Sequence, residues 1–71
     1  MGKTIKVNIM ELASKQGISL TELSRLSNVR VATLSELSNG KRKRIEFDHI
    51  RKIAETLNIN DINEIISIVD K

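Results

Sequence analysis

The sequence predicts an all-α fold of five short helices, to which short strands at the two ends of the chain add a pairing. Three observations lead to this prediction. The 71 residues include no proline and one aromatic side chain, Phe47, in a chain rich in Ile, Leu and Val. Apolar residues recur at helical spacing in most segments. Start and stop signals separate those segments at short intervals, so the helices are short.

The composition also limits the function. With 39% hydrophobic and 30% charged residues the chain is expected to fold as one small domain over residues 1–71. It contains no cysteine and a single histidine, so we expect no disulfide, no metal site and no cofactor. No nucleophile–base pair or Gly-rich phosphate loop is present, which argues against an enzyme. No apolar run approaches a membrane span and no signal peptide opens the chain. We therefore expect a cytoplasmic protein without a membrane partner.

The first segment changes its period near Asn8. Residues 4–9 alternate polar and apolar side chains, which is typical of a half-buried strand. From Ile9 the spacing becomes helical, and we predict a first helix over residues 9–16. Asn8 can cap this helix with Glu11 reaching back, and Gly17 supplies a left-handed stop.

The second helix has the strongest start signal in the chain. Ser19 and Glu22 have the spacing of a capping box, in which each side chain bonds the other residue's amide. We predict a helix over residues 20–27, followed by a sharp turn at Asn28, because Asn tolerates positive φ.

A third helix is predicted over residues 31–38, with Leu34 and Leu37 facing the core and Asn39-Gly40 closing it. Its start is poorly capped, because Arg30 stands where Ser or Thr is preferred.

The rest of the chain predicts a fourth helix capped by Asp48, and residues 61–64 resemble the start of a fifth. The fourth helix has apolar residues at helical spacing, namely Ile50, Ile53, Ala54 and Leu57. Residues 65–69 fit either a helical face or a strand that pairs with residues 4–8, and the pattern favours a short helix followed by a strand. Phe47 is expected to close the bottom of the core and His49 to lie on the surface.

Two short helices followed by a basic loop form an arrangement suited to nucleic acid. The net charge is +3, and a third of the Lys and Arg residues form one block, Lys41 to Arg44. Leu23 and Val29 hold the two helices together, and Ser24 is small where they approach. The third helix then presents its other face outward, with Arg30, Val31, Ala32, Ser35 and Glu36. Such a helix fits a major groove about 12 Å wide, and the loop 41–44 can meet the flanking phosphates.

The stretches 18–24, 28–35 and 39–41 resemble the lambda-repressor/Cro-like helix-turn-helix family, also called the Xre type. The resemblance covers about residues 7–66, with the helix-turn-helix at about 19–39, and is closest to short, single-domain members. Leu20 stands where many members carry Gln, Asn28 replaces the usual Gly, and Ser38 replaces a frequent Glu. The family implies a helical DNA-binding domain that regulates transcription, usually as a dimer.

The same resemblance assigns roles to residues. The base-facing set is Val31, Ala32, Ser35 and Glu36, and the phosphate-contacting set is Arg30, Thr33, Asn39 and Lys41, to which the basic loop adds Arg42, Lys43 and Arg44. None of the base-facing residues is Arg, Lys, Asn or Gln, the types that most often read guanine or adenine. This sparse readout predicts modest specificity, with much of the affinity supplied by the loop.

The leading hypothesis is a DNA-binding transcriptional regulator, such as a repressor, acting on double-stranded DNA as a homodimer. The apolar termini, residues 65–69 or the first strand, are the candidate dimer surfaces. The alternative is a protein-interaction module or antitoxin-like protein that uses the same fold to bind a protein partner, because Val31 and Ala32 also suit protein contacts.

Overall fold

A computed structural model describes residues 2–71, and in them the chain forms four α-helices and one two-stranded sheet. The order is β1 (Lys3–Val7), α1 (Ile9–Lys15), α2 (Leu20–Ser27), α3 (Val31–Ser38), α4 (Phe47–Leu57), a 3-10 turn (Ile62–Glu64) and β2 (Ile66–Asp70). The second and third helices have the bounds that the sequence predicted. The longest helix among these residues, α4, has 11 residues, and none is long and apolar enough to cross a membrane.

The prediction of five helices is wrong, because the segment after α4 forms only one 3-10 turn. The Asp61 carboxylate accepts a hydrogen bond from the Asn63 amide at 2.9 Å, as a cap would, but the turn ends after Glu64. Ile65 is then buried in the core at 1% exposure, and the chain continues as a strand. The β-branched side chains of Ile66, Ile68 and Val69 favour that extended conformation.

The two terminal strands pair antiparallel, as the sequence analysis suggested. Their register sets Lys3 opposite Asp70, Thr4 opposite Val69, Ile5 opposite Ile68, Lys6 opposite Ser67, and Val7 opposite Ile66. The cap predicted for α1 is absent, because the Asn8 side chain donates from Nδ2 to Ser67 Oγ at 2.8 Å instead. The Glu11 carboxylate pairs with Lys6 Nζ at 2.9 Å, which lowers the pKa of Glu11 through that hydrogen bond.

One aliphatic core joins all the elements. The five largest fully buried side chains are Ile9 in α1, Leu23 in α2, Leu34 in α3, Ile53 in α4, and Ile65 before β2. Gly17, with φ +74°, ends α1 as predicted and turns the chain toward α2. Every helix thus contributes at least one side chain to the core in which Leu34 of α3 is buried.

Two expectations about the start of α4 are wrong. Phe47 is 89% exposed and does not close the core; Ile50 and Ala54, which share its helical face, are only partly buried. The helix begins at Phe47 with Glu46 at its N-cap position, so Asp48 does not cap it. The Asp48 carboxylate instead accepts from Arg51 at 2.7 Å and lies 3.3 Å from Lys52 Nζ. Hydrogen bonds from Arg51 and then Lys52 lower the pKa of Asp48.

Candidate nucleic-acid interface

The start of α2 and the turn after it follow local signals. Ser19 Oγ accepts from the Glu22 amide at 3.1 Å, which is one half of the predicted capping box. The other half is absent, because the Glu22 carboxylate pairs with Arg25 on the next turn. Asn28 adopts the left-handed conformation, with φ 62° and ψ 32°, as predicted. The chain therefore leaves α2 abruptly and is redirected into α3.

Side-chain hydrogen bonds and burial fix the turn between α2 and α3. Ser24 Oγ donates to the Val29 carbonyl oxygen at 2.5 Å, across the turn. Ser27 Oγ donates to the Leu23 carbonyl oxygen at 2.7 Å. Val29 itself is 4% exposed and packs in the core with Leu23. The predicted apolar role of Leu23 and Val29 is confirmed, and the Ser24 side chain contacts the turn through its hydroxyl.

The buried face of α3 determines which residues it presents outward. Thr33, Leu34 and Leu37 are buried, with Leu34 at 0% exposure. On the other side Val31 is 44% exposed and Ala32 is exposed, while Ser35 and Glu36 are partly buried. Arg30 precedes the helix, is exposed, and makes no capping hydrogen bond through its side chain. The four predicted base-facing residues thus lie outside the core, but Thr33 of the predicted phosphate set does not.

Gly40 sends the chain from α3 into the basic loop. It has φ +77°, and the Lys41 amide donates to the Glu36 carbonyl oxygen at 3.0 Å. This is the bond of a Schellman motif, in which the residue after the left-handed glycine reaches back to the last turn of the helix. The loop therefore begins beside α3 and returns along it.

The four loop cations are all exposed, and Arg42 differs from the other three. Its Nε donates to Glu36 Oε1 at 3.0 Å, and its Nη2 lies 3.4 Å from Thr33 Oγ1. Within residues 2–71 the side chains of Lys41, Lys43 and Arg44 form no ion pair.

A shallow pocket of about 330 Å³ lies where the turn before α3 meets α4. It brings Arg30, Thr33 and Arg42, all in the predicted phosphate set, together with His49 and Lys52 of α4. His49 is only 18% exposed in its side chain, so it is not the surface residue that we expected. Its Nε2 lies 3.9 Å from Glu46 Oε1, and its Nδ1 is buried without a hydrogen-bond partner among the described residues.

Sequence reasoning assigned no role to Lys52 and His49. The signal for them was the three-residue spacing of Glu46, His49 and Lys52, which sets them on one side of α4. Of the remaining predicted phosphate residues, Asn39, Lys43 and Arg44 line a different groove of about 780 Å³ between the loop and the sheet, which Arg42 also lines. Lys41 lines neither pocket.

Beyond Val7 and Ile66, which pack against the core, the same face of the sheet carries an exposed apolar surface. Ile5 and Ile68 are direct cross-strand partners, and they are 59% and 69% exposed. Lys3 and Asp70 follow them on the same face and form an ion pair at 2.7 Å. Each strand of the two-stranded sheet also has one edge without a partner strand among the described residues.

Comparison with known proteins agrees with this geometry. A family model for the Cro/C1-type helix-turn-helix DNA-binding domain matches residues 8–71, and the chain belongs to that family. The resemblance drawn from the sequence motifs is thereby confirmed, and the chain is a DNA-binding helix-turn-helix domain. No curated protein and no solved structure matches it.

Proposed function

We propose that this domain is a sequence-specific transcriptional regulator that inserts α3 into the major groove of double-stranded DNA. The observation that carries the proposal is the orientation of α3. Leu34 and Leu37 are buried, whereas Val31 and Ala32 at its first turn are exposed next to Arg30. A helix whose first turn projects from a rigid scaffold is how helix-turn-helix domains reach base edges.

Base contacts would come from the four outward residues of α3. The methyl groups of Val31 and Ala32 suit thymine methyls, Ser35 suits several bases, and the Glu36 carboxylate can accept from a cytosine amino group. These contacts are few, so we expect modest discrimination between sequences from α3 by itself.

Phosphate contacts would come from the cations on both sides of α3. Lys41, Lys43 and Arg44 are exposed and have no acidic partner among the described residues, and Arg30 borders the α4 pocket. Asn39 would add a neutral donor. Thr33 is 7% exposed, so we propose that it acts through the Arg42 side chain. If all four loop cations, Arg42 included, neutralised one phosphate each, the slope of log affinity against log salt concentration would be about −3.6.

The domain would act as a homodimer through the sheet. A two-stranded ribbon is marginally stable alone, and Ile5 and Ile68 leave part of its apolar face exposed. A second copy would cover this surface and present two α3 helices to half-sites about 34 Å apart. Such a dimer, bound to symmetric operators, fits a cytoplasmic regulator of the repressor type.

The DNA part of the proposal is tested by selection from a random duplex library at near-physiological salt, followed by sequencing. We expect an enriched motif with two-fold symmetry. Replacing Lys41, Lys43 and Arg44 by Ala should weaken binding to that motif strongly. The control replaces Lys15, Arg25 and Lys71 by Ala, which removes the same charge elsewhere and should weaken binding much less. Equal effects of the two triple variants would contradict the assignment of the loop.

The dimer is tested separately by sedimentation equilibrium. Ile68→Thr keeps a β-branched residue in the strand but makes the exposed apolar face of the sheet more polar. We expect it to shift the measured molecular mass toward that of the monomer. Ile62→Thr is the control, since Ile62 is 55% exposed but lies outside the sheet. A wild-type mass of one chain over the micromolar range would exclude this dimer.

A protein-interaction module is the second candidate, because large apolar side chains are exposed on α3 and α4. Phe47 is 89% exposed and Val31 is 44% exposed. Such a module would bind a toxin, a sigma factor or another regulator. Loss of DNA binding by the triple loop variant, with binding to a protein partner intact, would support the DNA-binding role of the loop, and unchanged DNA binding would contradict that role. No DNA selection by the wild type would favour the interaction module.

A further inference from the structure

The Arg42 guanidinium is hydrogen-bonded to side chains of α3, unlike the side chains of its neighbours in the loop. Nε donates to Glu36 Oε1 at 3.0 Å, and Nη2 approaches Thr33 Oγ1 at 3.4 Å. Thr33 and Glu36 are three residues apart, so they are neighbours on the surface of α3. The guanidinium therefore lies along α3, in contact with a residue of the outward-facing set.

These two bonds leave part of the guanidinium free. They use the Nε hydrogen and one hydrogen on Nη2, so the Nη1 amino group and the second hydrogen of Nη2 remain available. Parallel donors of this kind match the O6 and N7 acceptors of guanine in the major groove. The side chain is 39% exposed, so these groups can meet a ligand.

The outward face of α3 lacks a guanine-reading residue. Val31, Ala32 and Ser35 carry no cation, and the Glu36 carboxylate would be repelled by guanine acceptors and by phosphates unless a cation accompanied it. Arg42 supplies that cation at hydrogen-bond distance. In turn Glu36 and Thr33 restrict the guanidinium before DNA arrives, which reduces the ordering that binding requires.

We infer that Arg42 reads a guanine in the major groove, positioned by Glu36 and Thr33, and that it is not a phosphate contact like Lys43. This inference rests on the proposed function, since it needs α3 to enter the groove. It makes Glu36 a positioning residue, which acts on the base through Arg42.

The experiment compares Arg42→Ala, Arg42→Lys, Glu36→Gln and the control Lys43→Ala on the motif selected by the wild type. Each guanine in that motif is replaced in turn, and affinity is measured at several salt concentrations. For Arg42→Ala we expect discrimination at one guanine in each half-site to fall by roughly 10- to 100-fold. Arg42→Lys should lose the same discrimination but keep the salt slope. Lys43→Ala should weaken binding to all sequences alike and reduce the slope by about 0.9.

Glu36→Gln tests the positioning role, because it keeps the size of the side chain but removes its charge. We expect it to weaken discrimination at the same guanine that Arg42→Ala affects. Uniformly tighter binding by Glu36→Gln would mean that Glu36 only repels DNA, and would overturn its positioning role. Circular dichroism of each variant establishes that it is folded.

Two failures can be told apart. If the wild type selects a motif but Arg42→Ala weakens all sequences alike with a slope reduced by about 0.9, Arg42 is a phosphate contact and only this inference falls. If the motif lacks a guanine at any position sensitive to Arg42, the inference is likewise wrong. If the wild type selects no motif, the proposed sequence-specific function fails, and the base-reading role fails with it.

Discussion

The hydroxyl of Ser24 donates to the carbonyl oxygen of Val29 at 2.5 Å, which ties the last turn of α2 to the residue that leads into α3. Val29 is 4% exposed, so this bond and the burial of Val29 together set the angle between the two helices. The orientation of α3 relative to α2 therefore depends on the Ser24 hydroxyl together with the burial of Val29.

Ser24→Ala is expected to reduce the free energy of unfolding by about 1 kcal/mol, because it leaves a partly buried carbonyl without its partner. Ser14→Ala is the control: Ser14 is exposed on α1, and Ala is the better helix former. Urea unfolding followed by far-ultraviolet circular dichroism measures both, since the chain has no Trp or Tyr. Equal stability of the two variants would mean that the bond contributes nothing.

Asn28 is expected to tolerate Gly but not Ala. Its φ of 62° is in the left-handed region, where a Cβ without a compensating polar side chain costs about 1 kcal/mol. Asn28→Ala should therefore lower the free energy of unfolding by about that amount, while Asn28→Gly should change it little. The comparison is Asn60→Ala, at an exposed loop residue without positive φ. A loss as large for Asn60→Ala would remove the conformational explanation.

Truncation of Leu34 should lower the free energy of unfolding far more than truncation of Phe47. Leu34 is fully buried, so Leu34→Ala should cost about 2–5 kcal/mol of stability through the cavity that it leaves. Phe47 is 89% exposed, and Phe47→Ala should change stability by less than about 0.5 kcal/mol. Thermal unfolding of the two variants decides this. A large loss of stability for Phe47→Ala would mean that the Phe47 side chain packs in the core.

Asp48 should make stability depend on acid. The hydrogen bond from Arg51, then that from Lys52, lowers the pKa of Asp48 in the folded state. Because the pKa is lower in the folded state, the ionised carboxylate stabilises the fold at any pH above its pKa in the unfolded state, which is about 3.9. This contribution is lost as the pH falls through the lower, folded value.

We therefore expect the urea midpoint of the wild type to fall more steeply between pH 6 and pH 2 than that of Asp48→Asn. The effect should shrink at high salt, because the pair is exposed. Glu64→Gln serves as the reference, since Glu64 forms no ion pair within residues 2–71. Parallel curves for the wild type and Asp48→Asn would contradict the prediction.

Much of the helix-turn-helix could be predicted because its signals are local. The Ser19 cap, the left-handed Asn28 and the spacing of Leu34 and Leu37 each involve residues within one or two turns of each other. These interactions therefore follow from the residues that are close together in the sequence. The candidate site was predictable to the same degree: the sequence indicated which residues of α3 face outward, but not which of them contact each other.

The sequence by itself determined the class of domain, the bounds of α2 and α3, the aliphatic core and the basic loop, because periodicity and capping act over a few residues. Only the tertiary structure decided the conformation of residues 65–69. This apolar run fits a helix or a strand by its pattern, and pairing with β1 makes it a strand. The tertiary structure also decided the partner of Asn8, which is Ser67, 59 residues away. Tertiary packing likewise brings Arg30 and Lys52 into one pocket and Arg42 and Glu36 into one ion pair. Contacts between elements depend on how the elements pack, and no local spacing encodes them.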